Sequence, residues 1–577
     1  RIFGNAYLEI EPVRHFVLKS NFGFNYYNAF NSTFVPKWHE GNRSVEKNEL
    51  TVSNNYTREW VWSNTATYSL EVDKHSALFL AGVETKENKY ESLRGYRSDF
   101  LLENSDYQYL DAGGSNQTNA NIAGRTAMTS YFAKANYSYH NRYLVSATIR
   151  RDASSRFGAN NNYGLFPSVS AGWRISQEDF MSSIDLISDL KIRASWGVNG
   201  NDLIDNEATY TKYSMNITTA GYDIAGSNSS AITGVVKNRS GNPNITWETT
   251  TQTNIGVDAF FLHNRLALTL DWFNKQTDDM LIDRPYIAVI GEGGTYAYNG
   301  ASMNNKGLEA LVTWRDHAGD LGYEIGFNLS YYKNKVTDLP EDVYYTLYGG
   351  NGRDLSIVGQ PYGSWMGYKT DGLYRTQEDL DKGPEQPGKG LGRIRYVDIS
   401  GPDGAPDGVI NDYDRTWLGS DLPKVIAGLN LSLNYKNFDL SMFFTGMIRK
   451  AYNNSKFYTN FFQLWTGNHS TRLLEAWDAE SNFNSSIPAL TPVNSNDEGR
   501  TSEYYIENGS YIKLKNLQLG YTLPKGIQDR LHLRNARIYM QAQNLLTLTS
   551  YTGADPEGLG YPYPLPRTYT MGLSFGF

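Results

Sequence analysis

The last ten residues of the chain read TYTMGLSFGF (568–577) and alternate between two kinds of side chain. The apolar or aromatic positions are Tyr569, Met571, Leu573, Phe575 and Phe577. Because successive side chains of a β-strand point to opposite faces, this period indicates a strand with one apolar face. Such a strand promotes aggregation when its face and edges are free. We therefore expect lipid on that face and a closed sheet on both edges.

The composition favours a membrane protein built from strands. The chain has 577 residues, of which 40% are hydrophobic and 14% aromatic, with 43 Tyr and 12 Trp. It contains no run of about 18 uncharged apolar residues, which excludes a helical span and leaves a closed barrel as the spanning structure. Composition alone leaves soluble sandwiches and propellers open, because these also consist of alternating strands.

Charge and cysteine content exclude further classes. The formal net charge of -8 argues against a nucleic-acid partner. The chain has no Cys, which excludes disulfides and thiol chemistry. It opens on Arg1 without a signal peptide, so we expect that its natural start is missing.

Alternating segments of about ten residues recur along the chain. In VIAGLNLSLNY (425–435), for example, apolar residues alternate with glycine, asparagine and serine. An apolar face opposite a polar, even charged, face is typical of a barrel with lipid outside and a wet interior. The predicted strands are 3–12, 15–30, 56–71, 75–90, 126–139, 142–152, 163–174, 188–198, 249–261, 265–282, 304–316, 321–335, 424–435, 437–450, 510–523, 535–546 and 567–577.

The connections between these strands favour an outer-membrane barrel. Short turns such as HNR (140–142) and YKN (435–437) alternate with mostly long loops, above all 336–423 and 451–509. The phase of the strand 510–523 changes between Leu514 and Leu517, which predicts a β-bulge. About seventeen strands cannot close antiparallel, because such barrels have an even number. We therefore expect at least one further strand upstream, paired with the last one.

Long motifs resemble one family, the SusC/RagA-type TonB-dependent transporters of the bacterial outer membrane. They are RYLVSATIRRDASSRFGANNNYGLFPSVSAGWRIS (142–176), LKIRASWGVNGN (190–201), SYIKLKNLQLGYTLPKGI (510–527), ARIYMQAQNLLTLTSYTGADPE (536–557) and the terminal phenylalanine. The resemblance implies an all-β fold, a transmembrane antiparallel up-and-down β-barrel of about 22 strands. The whole chain, 1–577, would then be a partial barrel that lacks about five strands and the N-terminal plug domain.

The resemblance also implies a function. Members of the family actively import bulky nutrients, typically oligosaccharides or oligopeptides, and a SusD-like surface lipoprotein closes over the barrel as a lid. Energy comes from TonB, which acts through the N-terminal region. A dimer of transporter–lipoprotein pairs is an assembly that this resemblance allows. The terminal strand is similar to the signal read by the machinery that inserts barrels, so Phe577 would serve assembly.

One acidic segment predicts a metal site. DISGPDGAPDGVINDYDR (398–415) is similar to an EF-hand-type calcium loop, in which carboxylates and one backbone carbonyl surround the ion. The match is better in its second half, where Gly408 would give the sharp turn, than in its first half, which carries an insertion. The alternative is a solvated acidic turn. The expected calcium ligands are Asp398, Asp403, Asp407, the carbonyl of Val409, and Asp414.

Aromatic residues on the long loops are candidates for substrate binding, because a flat ring buries much area at low entropic cost. The alternative is that they pack the loops together. They are Tyr344, Tyr345, Tyr348, Tyr362, Trp365, Tyr458, Phe461, Phe462 and Trp465. These loops hold mixed charges without a basic run, so we expect a neutral oligosaccharide or a peptide rather than an acidic polymer as substrate.

The sequence contains no motif that indicates an enzyme. GPEQPGKG (383–390) has the spacing of a phosphate-binding loop, but Gly390 replaces the required Ser or Thr and two prolines interrupt it. No H-E-x-x-H or G-x-S-x-G motif occurs. A passive porin-like or adhesive barrel, and an outer-membrane barrel enzyme, are the alternatives to an importer.

Overall fold

The computed structural model describes most of the chain. The described residues are 1–41, 43–215, 221–223, 226, 232–285, 295–340, 356–453, 456, 471–491, 497–559 and 565–577.

Seventeen strands belong to one sheet. They are β1 (Ile2–Val13), β2 (Phe16–Val35), β3 (Glu49–Val72), β4 (His75–Phe100), β5 (Gly113–Tyr139), β6 (Tyr143–Ser154), β7 (Tyr163–Arg174), β8 (Ile187–Asn201), β9 (Glu248–Phe261), β10 (Leu266–Pro285), β11 (Thr295–Ala318), β12 (Leu321–Asp338), β13 (Val425–Tyr435), β14 (Phe438–Ile448), β15 (Tyr511–Thr522), β16 (Asn535–Thr549) and β17 (Thr568–Gly576).

The loops contain short elements of their own. Two-stranded ribbons pair Trp38–Glu40 with Arg43–Val45, Lys212–Met215 with Val235–Arg239, Gly221–Tyr222 with Ile232–Thr233, Ser364–Tyr368 with Arg415–Ser420, Thr370–Leu373 with Ile394–Tyr396, and Lys450–Tyr452 with Ile506–Asn508. Among the described residues, the helices are α1 (Gln377–Lys382) and α2 (Lys525–Arg530), with 3₁₀ turns at Ser105–Tyr107, Leu110–Ala112, Ile175–Gln177, Asp179–Met181, Asp412–Asp414, Thr471–Glu475 and Glu503–Tyr505.

The chain forms two compact units. The first comprises Arg1–Trp173, Ser195–Gln252 and Thr277–Gly300, and the second comprises Arg174–Ala194, Thr253–Gln276 and Ala301–Phe577. In the first unit, consecutive strands from β1 to β7 pair antiparallel. Longer connections at 36–48, 101–112 and 155–162 alternate with short turns at 14–15, 73–74 and 140–142. His15 and His140 lie in such turns with positive φ, which lets the chain reverse within a few residues.

A small apolar core organises loops of the first unit. The rings of Phe157 and Phe166 each lie 5.2 Å from the ring of Trp247, measured between centroids. Ile245 is fully buried beside them. Trp247 Nε1 donates a hydrogen bond of 3.0 Å to the carbonyl of Asn162, so the buried indole keeps a polar partner.

In the second unit, β12, β13, β14, β15, β16 and β17 pair in that order, all antiparallel. The register aligns residues of the same face across the strands. One row contains Met571, Met540, Leu519, Leu440, Leu433 and Tyr323, and the next row towards the short turns contains Leu573, Ile538, Tyr521, Phe438, Tyr435 and Leu321.

These rows form an apolar face that is open to the surroundings. Met571 is 71% exposed and Met540 63% exposed. The opposite face is polar, since Arg537 on β16 donates to the carboxylate of Asp439 on β14 and Lys513 on β15 lies buried. An exposed apolar face and a polar inner face are the distribution that a strand needs between lipid and water.

The predicted strands are all present, and the predicted bulge is confirmed by a register shift between Leu514 and Asn516. The ends of several strands were predicted too short. For example, 56–71 is part of a strand that extends over Glu49–Val72. Of the added residues, Leu50 and Val52 still alternate with polar neighbours, but Ser53, Asn54 and Asn55 separate them from the rest of the strand, so the sequence hides its continuation.

Among the residues described, no helix has the length and hydrophobicity needed to span a membrane.

Gly200 provides a test of the core in the first unit. A Cβ at this position would overlap the ring of Phe166 and lie 2.9 Å from Trp247. We expect Gly200→Ala to destabilise the protein by about 1–3 kcal/mol, as overpacking does. Urea unfolding followed by Trp fluorescence measures this change. Gly4→Ala is the control, since nothing lies within 4 Å of its Cβ, and equal stability of both variants would contradict the packing described.

Candidate functional site

The long loops of the second unit fold into a packed body, which we call the loop core. It consists of the described residues within 356–424, 471–491 and 497–509. Its buried apolar cluster contains Tyr368, Leu373, Ile394, Tyr396, Ile410 and Trp477. Segments about a hundred residues apart in sequence therefore pack into one structure.

An arginine between two tyrosines joins two of these segments. The guanidinium carbon of Arg500 lies 4.8 Å from the ring centroid of Tyr368 and 4.9 Å from that of Tyr396. Both distances permit cation–π attraction, which is stronger where the ring is buried. Burial also raises the pKa of the Tyr396 hydroxyl, so this group stays neutral. No local pattern in the sequence identifies Arg500 as the partner of these rings.

A buried ion pair provides a second connection. The side chain of Glu498 is 1% exposed, and its Oε2 lies 3.2 Å from Nη1 of Arg393. Its Oε1 accepts a hydrogen bond of 3.0 Å from the backbone N–H of Ile394. Arg393 also donates to the carbonyl of Ala489. Because the charges are paired and hydrogen-bonded, removing either one would leave the other uncompensated.

Further charged groups attach the loops to the sheet. Lys513 on β15 is 2% exposed, and its Nζ lies 2.5 Å from Asp555 Oδ1 and 3.2 Å from Glu557 Oε2. Burial alone would raise the pKa of Glu557, but hydrogen bonds from Lys515 and Lys513 outweigh burial and lower it. The inner face next to the bulge thus holds the loop that follows β16.

The structure places two of the nine aromatic candidates. Trp365 is 2% exposed, and its ring centroid lies 5.8 Å from that of Tyr452. This position agrees with the packing alternative. Tyr362 is 38% exposed, and its backbone N–H donates to Asn334 Oδ1 at 2.7 Å, which fixes the start of the loop core on β12. The candidates that lie outside the described residues are Tyr344, Tyr345, Tyr348, Tyr458, Phe461, Phe462 and Trp465.

The acidic segment 398–415 forms an ordered loop that its own carboxylates hold together. Asp414 is fully buried, and it accepts hydrogen bonds from the backbone N–H groups of Ile399, Ser400 and Asn411. Gly408 has φ +84°, which confirms the sharp turn predicted there.

The other expected ligands also contact the backbone of this loop. Asp398 Oδ2 accepts from the N–H of Gly408 at 2.6 Å, and Asp407 Oδ1 accepts from the N–H of Val409 at 3.0 Å. Asp403 is exposed on the preceding turn. Within the described ranges, no three His, Cys, Asp or Glu side chains are arranged to hold a metal ion.

One carboxylate oxygen in this loop has no partner. Oδ1 of Asp398 is buried and accepts no hydrogen bond. Asp398 lines a cavity of about 680 Å³ together with Asp371, Glu378, Asp379 and Glu385, and with the cations Lys382 and Arg395. Arg395 compensates part of the negative charge, since it binds Asp371 and Asp379. A buried carboxylate oxygen without a donor usually has an ion or water as its partner.

Comparisons with known proteins agree with one family. The family described as TonB dependent receptor-like, beta-barrel matches residues 5–545. TonB-dependent receptor P3 of Formosa agariphila is 30% identical over 99% of this chain and 58% of the relative. TonB-dependent receptor SusC of Bacteroides thetaiotaomicron is 30% identical over 79% of this chain and 44% of the relative.

A solved structure extends this agreement to the fold. The structure of the RagAB peptide transporter matches with a TM-score of 0.84 and 25% identity, over 99% of this chain and 61% of that chain. This chain spans less than two thirds of the length of each of these relatives.

Proposed function

We propose that this chain forms the barrel of an active importer of bulky nutrients. The chain belongs to the TonB-dependent receptor-like β-barrel family and to its SusC/RagA type. The barrel would lie in the bacterial outer membrane. The observation that carries this proposal is the combination of an exposed apolar sheet face with a large folded loop core on the strands. A simple pore needs the first feature and has little use for the second.

The position of the loop core supports a role in substrate binding. It follows β12 and β14, at the ends of these strands that bear long connections. In bacterial barrels the long connections are extracellular. The loop core would therefore meet the substrate before the barrel interior does, and its exposed aromatic and amide groups would contact it.

The partners in this proposal come from the relatives. SusC and RagA types work with a SusD-like lipoprotein lid, and TonB supplies the energy. We propose the same partners for this protein. The RagAB structure is named a peptide transporter, and an oligopeptide or an oligosaccharide is the proposed cargo. Catalysis forms no part of the proposal.

Substitution of Tyr362 tests the role of the loop core. We expect Tyr362→Ala to weaken substrate binding about three- to tenfold, since one stacked ring contributes about 1 kcal/mol beyond its buried area. Uptake of labelled oligopeptides and oligosaccharides by cells that carry the full-length protein measures the effect. Tyr435→Ala is the matched control, because Tyr435 is also exposed but lies at the short-turn end of β13, outside the loop core.

Trp365→Ala should behave differently, because removal of a buried indole leaves a cavity that costs about 3–5 kcal/mol. The substitution should make the loop core less resistant to proteolysis, and it should also reduce uptake.

Uptake that continues in cells without TonB would contradict active import and favour a passive barrel. Unchanged uptake in both variants would remove these aromatics from the substrate site.

We also propose that the segment 398–415 binds calcium. The support is the buried, unpaired Oδ1 of Asp398, a residue that also lines an acidic cavity. Asp398 and Asp407 would hold the ion through hard oxygen atoms, whereas Asp414 would hold the loop backbone. Asp403 and the carbonyl of Val409 would complete the ligands.

Asp398→Asn tests this proposal. We expect calcium affinity of the purified protein, measured by isothermal titration calorimetry, to fall at least about tenfold because a charged ligand is lost. Asp381→Asn is the control, since Asp381 lies exposed on α1 and outside the acidic cavity. Calcium affinity equal to that of the wild type in Asp398→Asn would refute the site.

A further inference from the structure

A second cavity lies where the apolar face of the sheet ends. It has a volume of about 960 Å³. Residues of β11, β12 and β14 on the side of the long loops form it together with loop-core residues. Its cationic lining residues are Lys306, Lys333, Lys335, Lys424, Arg449 and Lys450. No aspartate or glutamate is among the described residues that line it. Positive charge of this density without a carboxylate indicates an anionic ligand.

The register shows that three of these lysines share the lipid-facing side of the sheet. Lys306 is the direct partner of Lys333, two residues beyond the pair Leu308 and Tyr331. Tyr331 in turn pairs with Val425 and Val425 with Ile448. Since side chains alternate, Lys306, Lys333 and Lys335 lie on the same face as these apolar residues. These lysines follow the apolar residues along each strand in the direction of the long loops, and they point away from the polar inner face.

The length of β14 places the lysines at headgroup level. From Phe438 to Ile448 the strand has 11 residues, a rise of about 34 Å, or about 26 Å along the membrane normal at a tilt of about 40°. The apolar band of an outer-membrane barrel is about 25 Å tall. Ile448 therefore marks its upper limit, and the row of Lys306 and Lys333 lies just above it.

The pairing of two lysines favours an external anion. Like charges directly opposite each other on antiparallel strands repel and destabilise the pair. Near their short turn the same two strands place Arg315 opposite Glu324, with 2.8 Å between the charged groups. Lys306, Lys333 and Lys335 are exposed, and none of them forms an ion pair within the described part of the chain.

From these observations we infer that the lysine cavity binds the phosphate groups of a glycolipid in the outer leaflet, a site distinct from the substrate site. This inference rests on the proposed outer-membrane location. The phosphates would neutralise the lysines, and Tyr331, Ile448 and Leu422 would contact the first part of the acyl chains. A soluble anion would explain the charge equally well, but it would not explain why the lysines lie on the apolar face.

The test uses the full-length protein in nanodiscs and native mass spectrometry. The lipids are phosphorylated lipid A, dephosphorylated lipid A and phosphatidylethanolamine, and inorganic phosphate is a separate soluble probe. We expect the wild type to retain phosphorylated lipid A selectively. Lys306→Gln/Lys333→Gln/Lys335→Gln should retain it at least about tenfold less, because each lysine near a charged membrane surface adds to affinity.

Two further variants keep this result interpretable. Lys74→Gln/Lys436→Gln/Lys525→Gln removes the same charge from exposed lysines in two short turns and at the start of α2, and this variant should retain lipid A as the wild type does. Lys333→Glu would create an ion pair with Lys306 and should reduce lipid binding without reducing stability.

Equal lipid A binding by the wild type and the lysine triple variant would overturn the inference, as would binding of inorganic phosphate alone. Nutrient uptake separates this outcome from failure of the proposed function. We expect uptake per folded molecule to be unchanged in the lysine triple variant. Absence of TonB-dependent uptake in the wild type would instead refute the importer itself.

Discussion

The structure depends on the alternation of side chains along antiparallel strands in a fixed register. Because the period is two residues, a shift of one residue would move every apolar side chain to the other face. The rows that run from β17 to β12 show that the register keeps apolar residues together across six strands. The bulge between Leu514 and Asn516 preserves this order, since Ile512 and Leu548 remain paired beyond it. The exposed apolar face, the polarity of the opposite face and the position of the loops all follow from that register.

The strands could be predicted from sequence because this constraint is local. An alternating segment such as 425–435 indicates its strand without reference to any partner. Strand ends were predicted less well, since the polar run Ser53, Asn54 and Asn55 interrupts the alternation near the start of Glu49–Val72. The lysine cavity could not be predicted, because it depends on residues that lie far apart in the sequence. Lys306 and Lys333 are 27 positions apart, and only the register places them opposite each other.

The loop core follows other rules. Its connections are single pairs between distant segments, such as Arg393 with Glu498 and Arg500 with Tyr396. No periodicity identifies such pairs, so the sequence indicated loops with many aromatic residues and left their arrangement open. Trp365 illustrates the difficulty, because a tryptophan that packs a loop and one that binds a sugar look alike in sequence. The acidic loop was more informative, since Gly408 and the spacing of its carboxylates predicted a sharp turn that the structure contains.

The most direct test of the central claim is the environment of alternate residues on β13. The chain has no cysteine, so Leu431→Cys and Asn430→Cys each introduce a unique thiol on opposite faces. In isolated outer membranes we predict that a water-soluble maleimide labels the cysteine at position 430, whereas only a membrane-partitioning reagent labels the one at position 431. Equal labelling of both positions by the water-soluble reagent would contradict a lipid-facing apolar side, and with it the barrel proposed above.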